Sequence, residues 1–203
     1  MRTCNRKTTP KVRGGKALRR QNYRLTPSYW NTADGPLVID QQRPGKGFKH
    51  FLKKRDLRRF IELIPDWERI SEGLRAIVLE RGDFAGVDGY YYYLGVISLT
   101  AWPVEQKIWV SPHFERGHSS LFDRLGIKRL EKEEGYVCYF SPDQIRAYQL
   151  LHVFLHELGH HVDRMSTHDQ RVCGRGEAFA EDFAWAWEAK IWHGYQEVFG
   201  MLG

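Results

Sequence analysis

In the stretch His156-Glu157-Leu158-Gly159-His160, two histidines stand four residues apart and a glutamate directly follows the first. A four-residue step on an α-helix returns to the same face, so both imidazoles can reach one metal ion while the glutamate stands beside it as a general base. The pattern predicts a zinc site with hydrolytic chemistry. In a chain this rich in His and Glu it arises by chance on the order of a few times in a hundred, so the flanking sequence has to supply the helix.

It does. Ser141-Pro142-Asp143-Gln144 reads as a helix start, with serine as N-cap, proline in the first turn and Gln144 closing a capping box. From there Leu151, Leu155, Leu158 and Val162 step along one apolar stripe, and His152, His156, His160 and Asp163 along another. Met165 to Gly176 is turn-rich, and a last helix is expected from about Glu177 to Phe199, burying Phe179, Phe183, Trp187, Ile191, Tyr195 and Val198.

A catalytic zinc takes three protein ligands and leaves a fourth position for water. The third ligand is expected from Glu177 or Glu181, a pair four residues apart at the start of the last helix. Glu177 is the first choice as ligand, with Glu181 accepting a hydrogen bond from the free nitrogen of a ligating histidine. Glu181, His168, Asp163 and His152 remain alternatives for the third position. Asp163, on the ligand stripe, is otherwise expected to support the ligands from behind, and His161 points away from the His156/His160 face as a structural residue.

The segments His156-Glu157-Leu158-Gly159-His160-His161-Val162-Asp163 and Glu177-Ala178-Phe179-Ala180-Glu181-Asp182-Phe183 resemble the HExGHxVD and ExFAExF elements of the gluzincin peptidase domain found in anthrax lethal factor and the Pro-Pro endopeptidases. The resemblance spans about 30 residues. It implies zinc ligation by His156, His160 and Glu177, catalysis by Glu157, and support from Glu181. The family carries a tyrosine a few residues before the glutamate ligand to steady the oxyanion, and Gln170 stands there in this chain. Oxyanion help is then expected from His168, Arg171, Arg175 or a distant tyrosine.

Upstream, Arg55 to Leu74 repeats apolar residues at helical spacing around Pro65, predicting two short helices or one kinked helix. Arg75 to Glu80, Tyr90 to Ala101, Lys107 to Ser111 and Tyr136 to Phe140 read as strands, and a short helix is expected near Leu121 to Leu125. The fold class follows as α+β and zincin-like, with a small, mostly antiparallel sheet packed on the HExxH helix and a C-terminal glutamate-bearing helix. A substrate peptide would extend that sheet along Gly95 to Ala101 or Lys107 to Ser111. The tyrosines Tyr90 to Tyr93 read as half-buried strand packing.

The 203 residues suit one domain with a core. Residues 1–60 carry 17 Lys or Arg against three Asp, a net of +14, while residues 61–203 carry 14 against 22 acidic residues, a net of −8. Residues 1–45 read as a basic, flexible N-terminal arm and 46–203 as the metallopeptidase domain. The basic stretch could bind nucleic acid through residues 1–60 or fold back on the acidic body. Cys4, Cys138 and Cys173 are odd in number and scattered, which excludes a dense disulfide framework. With no signal-type segment and no apolar run of spanning length, a cytoplasmic protein with no membrane contact is expected. The expected cofactor is one Zn2+ per chain, and the expected partner a protein or peptide substrate.

Overall fold

The computed structural model describes residues 12–13, 16–17, 28–32, 35–82, 88–170 and 172–200. Two short strands, β1 (Val12–Arg13) and β2 (Lys16–Ala17), pair antiparallel. They are followed by β3 (Val38–Gln41), β4 (Phe48–Lys49), α1 (Lys54–Ile61), α2 (Trp67–Ile70), β5 (Ala76–Glu80), β6 (Gly89–Tyr92), β7 (Val96–Thr100), β8 (Trp102–Pro103) and β9 (Lys107–Val110). Then come α3 (Pro112–Arg124), β10 (Lys128–Lys132), β11 (Gly135–Tyr139), α4 (Pro142–Tyr148), a π-helical stretch Gln149–Phe154, α5 (Leu155–Ser166) and α6 (Gly176–Phe199). The fold is α+β. Among the described residues, no helix is long and apolar enough to cross a membrane.

The main sheet is mixed, which corrects the expectation of mostly antiparallel pairing. Its order is β3-β5-β7-β6, with β3/β5 and β5/β7 parallel and β6/β7 antiparallel. The reason lies in Ala76-Ile77-Val78-Leu79 and Val96-Ile97-Ser98-Leu99, which are buried on both faces, as central parallel strands require. Ile77, Leu79, Ile97 and Leu99 face the main core, while Ala76, Val78 and Val96 form a smaller cluster against Tyr29, Trp30 and Tyr92 on the reverse face. A three-stranded antiparallel sheet, β10-β11-β9, and the pair β4/β8 complete the β structure.

Part of the stretch read as an arm belongs to this body. β3 is the outer parallel strand of the main sheet, Tyr29 and Trp30 pack on its reverse face, and the Tyr29 hydroxyl donates to Asp40 at 2.8 Å. Most of residues 1–27 lie outside the described residues.

The helices carry the main core. Phe60, Trp102, Phe122, Tyr148, Phe154, Leu155, Leu158, Ile191 and Tyr195 pack as one cluster against the sheet, and each fully buried large apolar side chain contributes roughly 1.5–3 kcal/mol over its exposed state. The Ser141–Gln144 capping box forms with both bonds, at 3.2 and 2.7 Å, and Gln144 Nε2 also donates to Leu125 and Gly126 carbonyls, tying α4 to the end of α3. α3 is 13 residues long and starts well before the predicted Leu121, because Ser111-Pro112 repeats the Ser141-Pro142 start signal: Ser111 Oγ accepts from Phe114 N at 3.2 Å. On α6 the fully buried stripe is Ala180, Ala184, Glu188, Ile191 and Tyr195. Phe179, Phe183 and Trp187, expected to be buried, form a half-buried ladder beside it, since small alanines are what allow α6 to lie close to α5.

Candidate metal centre

The HExxH residues sit at the start of α5, immediately after the π-helical stretch. A π turn widens the helix by about one residue and shifts the phase of every side chain after it. All six residues of that stretch are buried, and Gln149 Nε2 donates to the Thr100 carbonyl at the end of β7 at 2.8 Å, which fixes the helix against the sheet. No sequence signal marked this π turn.

α5 and α6 bring three donors together. His156 Nε2 lies 3.1 Å from Glu177 Oε2, His160 Nε2 lies 3.4 Å from Glu177 Oε1, and the two Nε2 atoms are 3.2 Å apart. Ligands around a tetrahedral zinc with bonds of about 2.0–2.1 Å stand roughly 3.3 Å from one another. Two imidazole nitrogens and a carboxylate with these separations therefore fit zinc in both chemistry and spacing. On the far side of the ring, His156 Nδ1 donates to Glu181 Oε2 at 3.1 Å, so the same helix supplies one carboxylate to each nitrogen of His156.

Glu157 is buried between this group and β6. A Cβ at Gly89 would lie 2.6 Å from Val153 Cγ1 and 3.1 Å from Glu157 Oε1, so glycine there leaves room for both side chains. Burial pushes the Glu157 carboxyl up to about 7, with His156 opposing and Glu177 adding to the shift. For His156, burial lowers the pKa, but Glu181, Glu157 and Glu177 outweigh it and raise the value. His160 is lowered, chiefly by burial. Burial also works against the charged form of Glu181, yet its contacts with the His118 and His156 rings hold the carboxyl well below its ordinary range.

Asp163 supports the centre indirectly. Its buried carboxylate accepts from Arg175 N at 2.8 Å, Gly176 N at 3.0 Å and Arg175 Nε at 2.9 Å, pinning the start of α6 one residue before Glu177. His161 is fully buried and away from the centre: Nε2 donates to the Glu72 carbonyl at 2.9 Å and Nδ1 accepts from the Tyr91 hydroxyl at 3.1 Å.

Of the residues named for oxyanion help, His168 and Arg175 do not line the cleft. Arg175 is engaged with Asp163 and Ser166 and lies over the Phe179 ring; His168 is exposed and off the cleft; Arg171 lies outside the described residues. The cleft over the donors, about 1230 Å³, is walled instead by Tyr90, Tyr91 and Tyr93 from β6 and its turn and by His113 and Arg116 from α3. Within β6, Tyr91 turns toward α5 and meets His161, while Tyr92 packs on the reverse face with the Tyr90 ring 6.0 Å away. The strands expected to receive substrate are not placed for it either. β7 is an interior strand paired on both sides, and β9 does not line the cleft; the outer strand beside α5 is β6.

His152 and His118 form a second group beside the first. Their Nε2 atoms are 3.0 Å apart, and Glu181 lies 3.4 Å from His118 Nε2 and 3.9 Å from His152 Nε2. The sequence pattern gave no role to His118, although the Ser111-Pro112 cap, once recognised, puts it on a helix four residues after Phe114.

A small mixed sheet backing a helix that carries two histidines and a glutamate, crossed by a second helix that supplies two carboxylates, defines an α+β protein with a candidate metal centre. No known protein family matches the chain, and no characterised protein or solved structure matches it.

Proposed function

We propose that this chain is a zinc-dependent endopeptidase of the glutamate-ligand zincin type, holding the ion with His156, His160 and Glu177. The observation that carries the proposal is the convergence of those three donors within 3.1–3.4 Å of one another, with a buried glutamate next to them in sequence. Zinc, when bound, supplies a Lewis acid that acidifies water and polarises a scissile carbonyl. The chain's own residues do the rest. Glu157, whose burial favours taking up a proton near neutrality, accepts one from the attacking water and delivers it to the leaving amine. Glu181 holds the Nδ1 proton of His156 and keeps its Nε2 turned to the cleft. A peptide substrate would lie along β6, adding to the outer edge of the sheet, in the cleft that Tyr93 and His113 help to line. The test is cleavage of a peptide library by wild type and Glu157→Gln. Wild type should cut and Glu157→Gln should fall by at least a thousandfold while keeping its zinc; equal cleavage by both removes Glu157 from the chemistry.

A second reading rests on the charge asymmetry, 17 Lys or Arg against three Asp in residues 1–60. Such a stretch would bring the domain to nucleic acid by phosphate contacts. Because Tyr29, Trp30 and β3 pack on the body, deleting 1–45 would disturb the sheet. Neutralising the Lys and Arg of residues 1–24 is the cleaner test, and loss of salt-dependent DNA binding is the expected result.

A further inference from the structure

We propose that His118, His152 and Glu181 form a second divalent-metal site, suited to zinc, beside the first. The three side chains come from three separate elements, α3, the π-helical stretch and α6, and their donor atoms lie within 4.8 Å of one another. The two Nε2 atoms are 3.0 Å apart, and Glu181 turns Oε1 to His118 at 3.4 Å and Oε2 to His152 at 3.9 Å, one oxygen toward each ring as Glu177 does in the first group, though more widely on the His152 side. Two imidazoles and a carboxylate are a donor set for zinc and its neighbours in the first transition row.

The protons around the group argue for a cation. His118 Nδ1 donates to the Phe114 carbonyl at 2.8 Å, so in the neutral ring Nε2 carries the lone pair, and it points at His152 and Glu181. A backbone carbonyl on one nitrogen with the other left free is the usual seating of a metal-binding histidine. The Phe114 ring stacks on His118 with centroids 3.9 Å apart, holding its orientation. His152 is 5% exposed, and Nε2 is the ring nitrogen it aims into the same group, 3.0 Å from His118 Nε2. A lone pair on His118, a carboxylate and the His152 Nε2 thus crowd one small space, and a divalent ion satisfies all three at once. Glu181 joins the two sites, with Oε2 on His156 Nδ1 and Oε1 facing His118.

This inference stands apart from peptidase activity, and metal counting separates the two. Metal-stripped full chain is titrated with Zn2+ and, in parallel, with Co2+ followed by its visible absorption, and the bound ion is counted after buffer exchange. Wild type should take two equivalents. His118→Gln/His152→Gln should take one, and His160→Ala/Glu177→Ala should also take one, with circular dichroism checking that each variant is folded. His118→Asn alone, changed at the cleft wall, provides a milder variant and should likewise fall from two to one. A single equivalent in wild type that survives His118→Gln/His152→Gln overturns the second site and leaves the first: the two histidines then only brace Glu181 by hydrogen bonding. A single equivalent lost in His118→Gln/His152→Gln but kept in His160→Ala/Glu177→Ala supports the second site and removes the catalytic one. No bound metal in wild type overturns both.

Discussion

Gly159 meets Ala180 so closely that a Cβ on Gly159 would lie 2.8 Å from the Ala180 Cα and 3.1 Å from its carbonyl oxygen. This contact sets the spacing between α5 and α6, and with it the reach of Glu177 to His156 and His160. The glycine inside the HExxH stretch is there for the partner helix.

Gly159→Ala should therefore destabilise the protein, even though alanine favours a helix by up to about 1 kcal/mol. Forcing a methyl against backbone typically costs about 1–3 kcal/mol, and the displaced α6 should weaken zinc binding at least tenfold. Thermal melting and competition with a chelator measure both. An unchanged Tm together with unchanged zinc affinity would show that the two helices part freely.

Glu177 and Glu181 should separate by zinc affinity at the first centre, measured in the His118→Gln/His152→Gln background because Glu181 also serves the second site. Glu177→Ala removes a donor and should leave the first centre without stable metal, whereas Glu181→Ala removes the hold on His156 Nδ1 and should weaken that centre by about 10- to 100-fold. The reverse ranking would exchange their roles.

Asp163→Ala should cost on the order of 2 kcal/mol, because it strands the Arg175 and Gly176 amides and the Arg175 Nε that its buried carboxylate now accepts from. Zinc affinity should drop with stability, since the start of α6 comes loose beside Glu177. Asp163→Asn keeps an acceptor and should fall between. Full zinc affinity in Asp163→Ala would detach this anchor from the centre.

Glu188 gives a pH signature. It is buried on α6, one oxygen lacks a partner, and burial pushes its carboxyl up to about 7 against the pull of Arg124, 2.8 Å away. Between its ordinary 4.5 and about 7 the folded protein holds a proton that the unfolded chain releases. Stability from this group is therefore present at low pH and lost as pH rises through that interval. Wild type should lose stability relative to Glu188→Gln between pH 5 and pH 8, by a few kcal/mol at most at about 1.4 kcal/mol per unit. Asp88, raised to about 6, and Glu157, raised to about 7, push the same way but are common to both proteins and cancel in the difference. Denaturant melts across that range measure it, and parallel curves would mean that Arg124 keeps Glu188 ionised throughout.

Local patterns read well where one short segment held all the needed information. The Ser141 capping box, the break at Pro65 and the strands Ala76–Glu80 and Lys107–Val110 are such cases. The same Ser-Pro signal at Ser111 is followed by polar residues that hide the helical periodicity, so α3, which carries His118, is longer than the helix expected near Leu121 to Leu125. Burial on both faces of β5 and β7 needed the neighbouring strand to be interpreted: an apolar run has no alternation from which to infer direction.

By itself, the sequence determined that His156, Glu157 and His160 stand together on a helix, because a four-residue step is a property of the helix and needs no partner. Which other groups join them was decided only by tertiary structure. Glu177 reaches the two histidines because Gly159 and Ala180 let two helices touch and Asp163 pins the second one. His118 reaches His152 from a helix 34 residues away. Arg175, near in sequence, is turned away by its bonds to Asp163. Such meetings depend on packing between elements distant in the chain, which no local spacing encodes.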